Sequence, residues 1–153
     1  MMDFQCEIRE QVAQPTLSIR TRTPIGELPK LLGESYDKIA GYLAELGEEP
    51  AGVPFAAYYN MDMQNLDVEI GFPVARSLDG KGDIQASQVP GGKLGYALHT
   101  GRYGGIAPAY DALTQFVQEQ GYESTGISYE FYLNDPEETT QEKLQTQIIF
   151  PLK

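Results

Sequence analysis

Glu130 is the residue in this chain best placed to do chemistry. It lies mid-way along Ile127–Leu133, where Ile127, Tyr129, Phe131 and Leu133 alternate with Ser128, Glu130 and Tyr132. Such alternation marks a strand, with the first set expected on the core side and the second on the other face. The final run, Leu144–Phe150, reads the same way: Thr146, Ile148 and Phe150 look core-facing, which leaves Gln145, Gln147 and Ile149 on the side of Glu130. A carboxylate is thereby expected among Tyr132, Tyr58 and Gln147, and neither strand supplies a lysine or arginine. A partly desolvated carboxylate without a basic partner keeps its proton to higher pH or recruits a cation. Facing aromatic rings add about 0.5–2 kcal/mol each to cation binding. The competing reading is a solvated glutamate on the wet face of an antiparallel sheet; strand parity alone favours it.

The chain has ten tyrosines, six phenylalanines and no tryptophan. Tyrosine offers a flat apolar body with a polar tip, suited to planar ligands. Tyr36, Tyr58, Tyr96, Tyr103 and Tyr132 are candidate walls of a binding site, with Gln147 and Glu130 as its polar members. Tyr36 and Tyr110 also fall near helical apolar stripes, and for Tyr110 a plain core role is the better reading. A second chemistry is open to Glu130. A carboxyl that holds its proton beside phenols can serve as general acid or base, so Glu130 is the catalytic candidate if the protein is an enzyme. No nucleophile elbow, phosphate-binding loop or dinucleotide fingerprint occurs. His99 is the only histidine and Cys6 the only cysteine, so one chain assembles neither a disulfide nor a Cys/His zinc site. No cofactor or metal is expected.

Charge narrows the partners. Twenty-two acidic residues against eleven basic ones give a net charge of -11. Such a surface repels nucleic acid and anionic membranes and tolerates cations. The N-terminal residues lack a signal-peptide pattern, and no apolar run has the length of a membrane span, so a cytoplasmic location is expected.

These residues must be positioned by regular elements. Phe4, Cys6 and Ile8 alternate, Pro15 interrupts, and Leu17, Ile19 and Thr21 alternate again, which reads as two strands. Leu28, Leu31, Leu32, Ser35, Ile39, Leu43 and Leu46 form one helical stripe, stopped by Gly47. Strands are expected at Phe55–Tyr59, Val68–Phe72, Ile84–Val89 and Leu94–Thr100. A second helix is expected from about Gly105 to Gln120, with Pro108 in its first turn. Strands over Ile127–Leu133 and Leu144–Phe150 complete the chain, joined through the acidic turn Asn134–Glu138.

The two halves repeat. A shift of 74 superposes Tyr36-Asp37 on Tyr110-Asp111, Gly47 on Gly121, Phe55 on Tyr129, Tyr58 on Tyr132 and Asn60 on Asn134. A shift of 78 then superposes Ile70, Phe72 and Pro73 on Ile148, Phe150 and Pro151. The expected fold is therefore α+β: duplicated β-α-β-β units, about 1–75 and 80–153 of one 153-residue domain, forming an antiparallel sheet with two main helices. A pseudo-twofold axis and a ligand cleft between the halves are part of that expectation. Glu130 marks where the copies differ most, since it falls on Ala56.

The ordered set His99-Thr100-Gly101-Arg102-Tyr103, Tyr110-Asp111-Ala112-Leu113, Tyr129–Pro136 and Thr146–Leu152 resembles the GyrI-like small-molecule-binding family. Tyr58-Tyr59-Asn60 and Glu69–Val74 extend the resemblance through the first half. The same domain forms the effector-binding half of multidrug-responsive activators of the BmrR and Rob type. The resemblance implies an aromatic-lined cavity in which an acidic residue of the penultimate strand meets cationic lipophilic ligands, and Glu130 occupies that position. Gln147 departs from an acidic residue that many relatives carry. Because the first strand begins within a few residues of Met1, a stand-alone member without a helix-turn-helix region is expected. The leading expectation is a binder of amphipathic aromatic, cationic compounds. The alternatives are a hydrolase of reactive genotoxic small molecules and an inhibitor that binds a protein such as gyrase or a regulator.

Overall fold

The computed structural model describes residues 5–135 and 138–153. Phe4 of the first expected strand and Pro136-Glu137 of the acidic turn lie outside the described residues. The fold is α+β, with eight strands and two α-helices among the described residues. The strands are β1 Glu7–Gln11, β2 Gln14–Thr23, β3 Phe55–Tyr58, β4 Leu66–Pro73, β5 Gln85–Val89, β6 Gly92–Thr100, β7 Ser128–Tyr132 and β8 Gln145–Pro151. The helices are α1 Leu28–Glu45 and α2 Ala107–Glu119. All expected strands and both helices are present, within a few residues of the expected bounds.

The chain forms two compact units. In Ala13–Pro90 the strands lie in the order β3-β4-β2-β5, all antiparallel. Leu17 and Ile19 of β2 face α1, where they pack with the buried Ile39 and Leu43 of its stripe and with Val74, Leu78 and Ile84. The other unit joins β1 to Gly91–Lys153 in the order β1-β6-β8-β7. Its core sets Ala109, Leu113 and Val117 of α2 against Ala97, Ile148 and Phe150. β1, which the repeat reading places in the first half (about 1–75), therefore belongs to the second unit: Glu7 to Gln11 pair with Tyr96 to Gly92.

The duplication extends to individual hydrogen bonds. Each helix has a proline in its first turn and ends one residue past its C-cap on a glycine with positive φ, Gly47 at 70° and Gly121 at 82°. Glycine meets that backbone at no steric cost. The next amide returns to the last turn in both, Glu48 N to Leu43 O at 2.9 Å and Tyr122 N to Val117 O at 3.0 Å. Asn60 and Asn134 clamp equivalent connections. The Asn60 amide donates to Asn65 O and its Oδ1 accepts from Asp67 N; the Asn134 amide donates to Lys143 O and its Oδ1 accepts from Gln145 N.

Candidate functional site

The ladder decides which residues share a face with Glu130. In an antiparallel pair, directly opposed residues project to the same side. Glu130 opposes Ile148, and Tyr132 opposes Thr146. Ile148 and Phe150 pack against α2, so Glu130 and Tyr132 lie on the helix-covered face. The grouping of Glu130 with Gln147 is therefore corrected. Gln147 opposes Phe131 and Leu98, which places it on the other side of the sheet, where its Nε2 donates to Ala97 O at 2.9 Å. The wet-face reading fails for the same reason, because the face bearing Glu130 carries the core of this unit.

Glu130 is enclosed by phenols. The Tyr110 hydroxyl, from α2, donates to its Oε2. The Tyr132 hydroxyl donates to its Oε1 at 3.0 Å. Tyr110 also lies 3.5 Å from Ser128 Oγ and stacks at a tilt on Phe150, with ring centroids 5.7 Å apart. Tyr103, in a short 3₁₀ turn before α2, sets its ring edge-on to Tyr132 at 5.6 Å and is 37% exposed. Burial raises the Glu130 carboxyl above its ordinary 4.5; the hydrogen bonds from Tyr110 and Tyr132, then the nearby His99, oppose that rise. Tyr103 is also raised, first by burial and then by the charges of Asp135 and Glu130. No ion pair joins Glu130 to a basic side chain among the described residues. No group of three or more potential metal-ligating side chains occurs among them either.

Of the expected site residues, the structure brings together Glu130, Tyr132 and Tyr103. It adds Tyr110, which its position on the apolar helix stripe disguised as core, and Ser128 and His99 beside it. Tyr96 opposes Ile149 on the face away from α2, with the Arg9 guanidinium 4.4 Å above its ring. Burial raises its phenol. Tyr36 and Tyr58 belong to the α1 unit. Tyr36, the counterpart of Tyr110, donates instead to the backbone Phe55 O at 3.0 Å and packs on Phe72 at 5.4 Å. Tyr58 is half-buried and opposes Val68, on the α1 side of its sheet. Ala56, the counterpart of Glu130, is fully buried there.

A more deeply buried carboxylate lies in the α1 unit. Glu69 is 5% exposed and accepts from Ser18 Oγ and the Tyr59 hydroxyl, each at 2.5 Å. It faces away from α1, because it opposes Ala57 and Arg20 rather than the Leu17/Ile19 set. Its repeat counterpart is Gln147, not Glu130. The Arg20 guanidinium lies over the Tyr59 ring at 3.7 Å and grips Asp67 with two bonds of 3.0 and 2.9 Å, which lowers the Asp67 carboxyl. Two open grooves along α1, of about 270 and 380 Å³, are crossed by the Lys38–Asp83 and Lys81–Glu45 ion pairs and are not lined by Glu130.

Comparison with known proteins adds the lineage. Residues 4–153 match the family described as the GyrI-like small molecule binding domain. No curated protein sequence matches the chain. The fold is similar to that of EcmrR in its DNA complex, with a TM-score of 0.84 at 22% identity over 100% of this chain; the chain spans 59% of that protein's length. The crystal structure of the EcmrR C-terminal domain aligns over 99% of both chains, at 22% identity and a TM-score of 0.81. A hydrolase from Listeria innocua aligns at 13% identity over 100% of this chain and 94% of its own, with a TM-score of 0.72. SAV2435, solved bound to tetraphenylphosphonium, aligns at 14% identity over 99% and 94%, with a TM-score of 0.64. At these identities the structural likenesses speak for the fold alone, whereas the family match runs through nearly every element described above: the chain belongs to the GyrI-like small-molecule-binding domain family.

Proposed function

We propose that the domain captures amphipathic aromatic cations and that Glu130 is their charge partner. The observation that carries this reading is a carboxylate under α2, held by two phenols and paired with no basic side chain among the described residues. A cation supplies the missing counter-charge, and Tyr103, Tyr110 and Tyr132 supply ring surface beside it. SAV2435, which shares the fold, was solved with tetraphenylphosphonium, and that ion is a suitable probe. Calorimetry should show Glu130→Gln weakening tetraphenylphosphonium binding by roughly tenfold or more, about 1.4 kcal/mol. Triphenylphosphine oxide, neutral and similar in shape, should change less than about twofold. Equal losses for the two probes would remove the charge role.

A second reading has its own support. A carboxyl with a raised pKa beside tyrosine hydroxyls is suited to protonate or deprotonate a reacting group. On this reading the chain hydrolyses strained electrophilic compounds, with Glu130 directing the proton. Mass spectrometry of a cyclopropane-bearing alkylating agent incubated with the protein tests it. Hydrolysed product that disappears with Glu130→Gln supports turnover, and recovery of intact compound excludes it for that agent.

A further inference from the structure

We infer that the Glu130 site selects cations carrying N–H donors, such as protonated amines and amidinium groups on an aromatic body, over fully substituted onium ions. The inference rests on the reading of Glu130 as the cation's partner and names the class of cation.

The polar groups beside Glu130 are short of protons. The hydroxyl hydrogens of Tyr110 and Tyr132 are directed at the carboxylate, one to each oxygen. A carboxylate offers about four lone-pair positions, so both oxygens retain capacity to accept. His99 is 6% exposed, and its Nε2 lies 2.8 Å from the carbonyl oxygen of Arg102. A carbonyl only accepts, so Nε2 carries a hydrogen and that donor is committed.

Thr146 is the decisive residue. It is 0% exposed, and its Oγ1 has no hydrogen-bond partner. Buried hydroxyls without a partner are rare. The ladders set Thr146 directly between His99 on β6 and Tyr132 on β7. Glu130 opposes Ile148, two residues further along β8, so it is the diagonal neighbour of Thr146 on the same face. Diagonal neighbours stand about 7–8 Å apart at Cα and closer at their side-chain tips. Two N–H···O bonds of about 2.9 Å each bridge such a gap through one ammonium or amidinium group. That group would donate to Glu130 with one hydrogen and to Thr146 Oγ1 with another. A quaternary ammonium or phosphonium ion meets the charge of Glu130 but has no hydrogen for Thr146.

The test uses two probes on one aromatic body, protonated 9-aminomethylanthracene and its N,N,N-trimethylammonium analogue, titrated by fluorescence into the full chain at pH 7. The wild type should bind the primary ammonium roughly tenfold more tightly. Thr146→Val, nearly isosteric, should erase most of that preference by weakening the primary ammonium while leaving the trimethylammonium within about twofold. Thr146→Ser keeps the hydroxyl and should keep the preference, which separates hydrogen bonding from packing. If Thr146→Val moves both probes equally, or neither, while Glu130→Gln weakens both, donor selectivity is wrong and the charge role of Glu130 stands. If Glu130→Gln leaves both probes unchanged, the underlying reading falls with it.

Discussion

Tyr110 and Glu130 join the helix to the sheet: the phenol on α2 donates to the carboxylate on β7, twenty residues further along the chain. In the other repeat the same tyrosine position, Tyr36, donates to a main-chain carbonyl, and Ala56 stands where the carboxylate would be. One copy of the unit has a structural tyrosine. The other has turned that tyrosine towards an ionisable group.

Removing the phenol should change the titration of the carboxylate. The Tyr110 hydrogen bond is the strongest influence opposing the burial-driven rise of Glu130. Tyr110→Phe should therefore raise that pKa further and move the onset of cation binding to higher pH. The Glu130 side-chain carboxyl carbon, followed by NMR during a pH titration, reads this directly. Tyr132→Phe should act in the same direction and less strongly, because its contribution is the smaller of the two. Each variant should lose about 1–2 kcal/mol of stability through the missing charge-assisted bond.

The pH dependence of folding has a definite sign at this site. A carboxyl whose folded pKa lies above its unfolded value binds more protons folded than unfolded. Stability therefore falls as pH rises from the ordinary 4.5 through the folded value, and levels off above it. Glu130→Gln removes this dependence. Its Tm relative to wild type should be lowest near pH 4 and should climb with pH across that window, by a few degrees if the effect is about 1 kcal/mol. A difference in Tm that stays flat from pH 4 to 8 would contradict the burial.

Placing the carboxylate in the other repeat should be costly. Ala56 is fully buried, and its neighbouring phenol is already committed to Phe55 O. Ala56→Glu adds volume and a charge with no donor waiting for it. Chemical denaturation should show a loss of about 3–5 kcal/mol, while Ala56→Ser should lose less.

A backbone contact sets a fourth expectation. A Cβ on Gly71 would stand 2.3 Å from the carbonyl oxygen of Leu17 and 2.8 Å from Ser18 Cβ. Ser18 is one of the two donors to Glu69. Gly71→Ala should spread β2 from β4 and cost about 2–4 kcal/mol, measured by urea unfolding. The Glu130 probes should still bind at a temperature where the variant is folded.

The architecture was legible in the residues because both copies carry the same punctuation: a glycine closing each helix and an asparagine between the last two strands. The face of Glu130 was not. Both alternating sets of β7 include aromatic rings, and the more apolar set, Tyr129 and Phe131, points away from α2. Only the pairing of Glu130 with Ile148 resolves that ambiguity. Tyr110 was hidden for a related reason. A tyrosine on an apolar helical stripe has the same periodicity whether its hydroxyl reaches water or a carboxylate. Alternation along β8 places Thr146 in the core, where it lies, but a sequence does not show whether a buried hydroxyl has found a partner.

The pairing of β1 with β6 has a consequence for biosynthesis. Glu7 leaves the ribosome about 90 residues before Tyr96, its ladder partner, and at about 5–20 residues per second that interval lasts several seconds. During it the unit built on α1 can be completed while β1 waits as an unpaired ribbon upstream. Translation pauses at any point between the two strands would lengthen its exposure to chaperones and proteases.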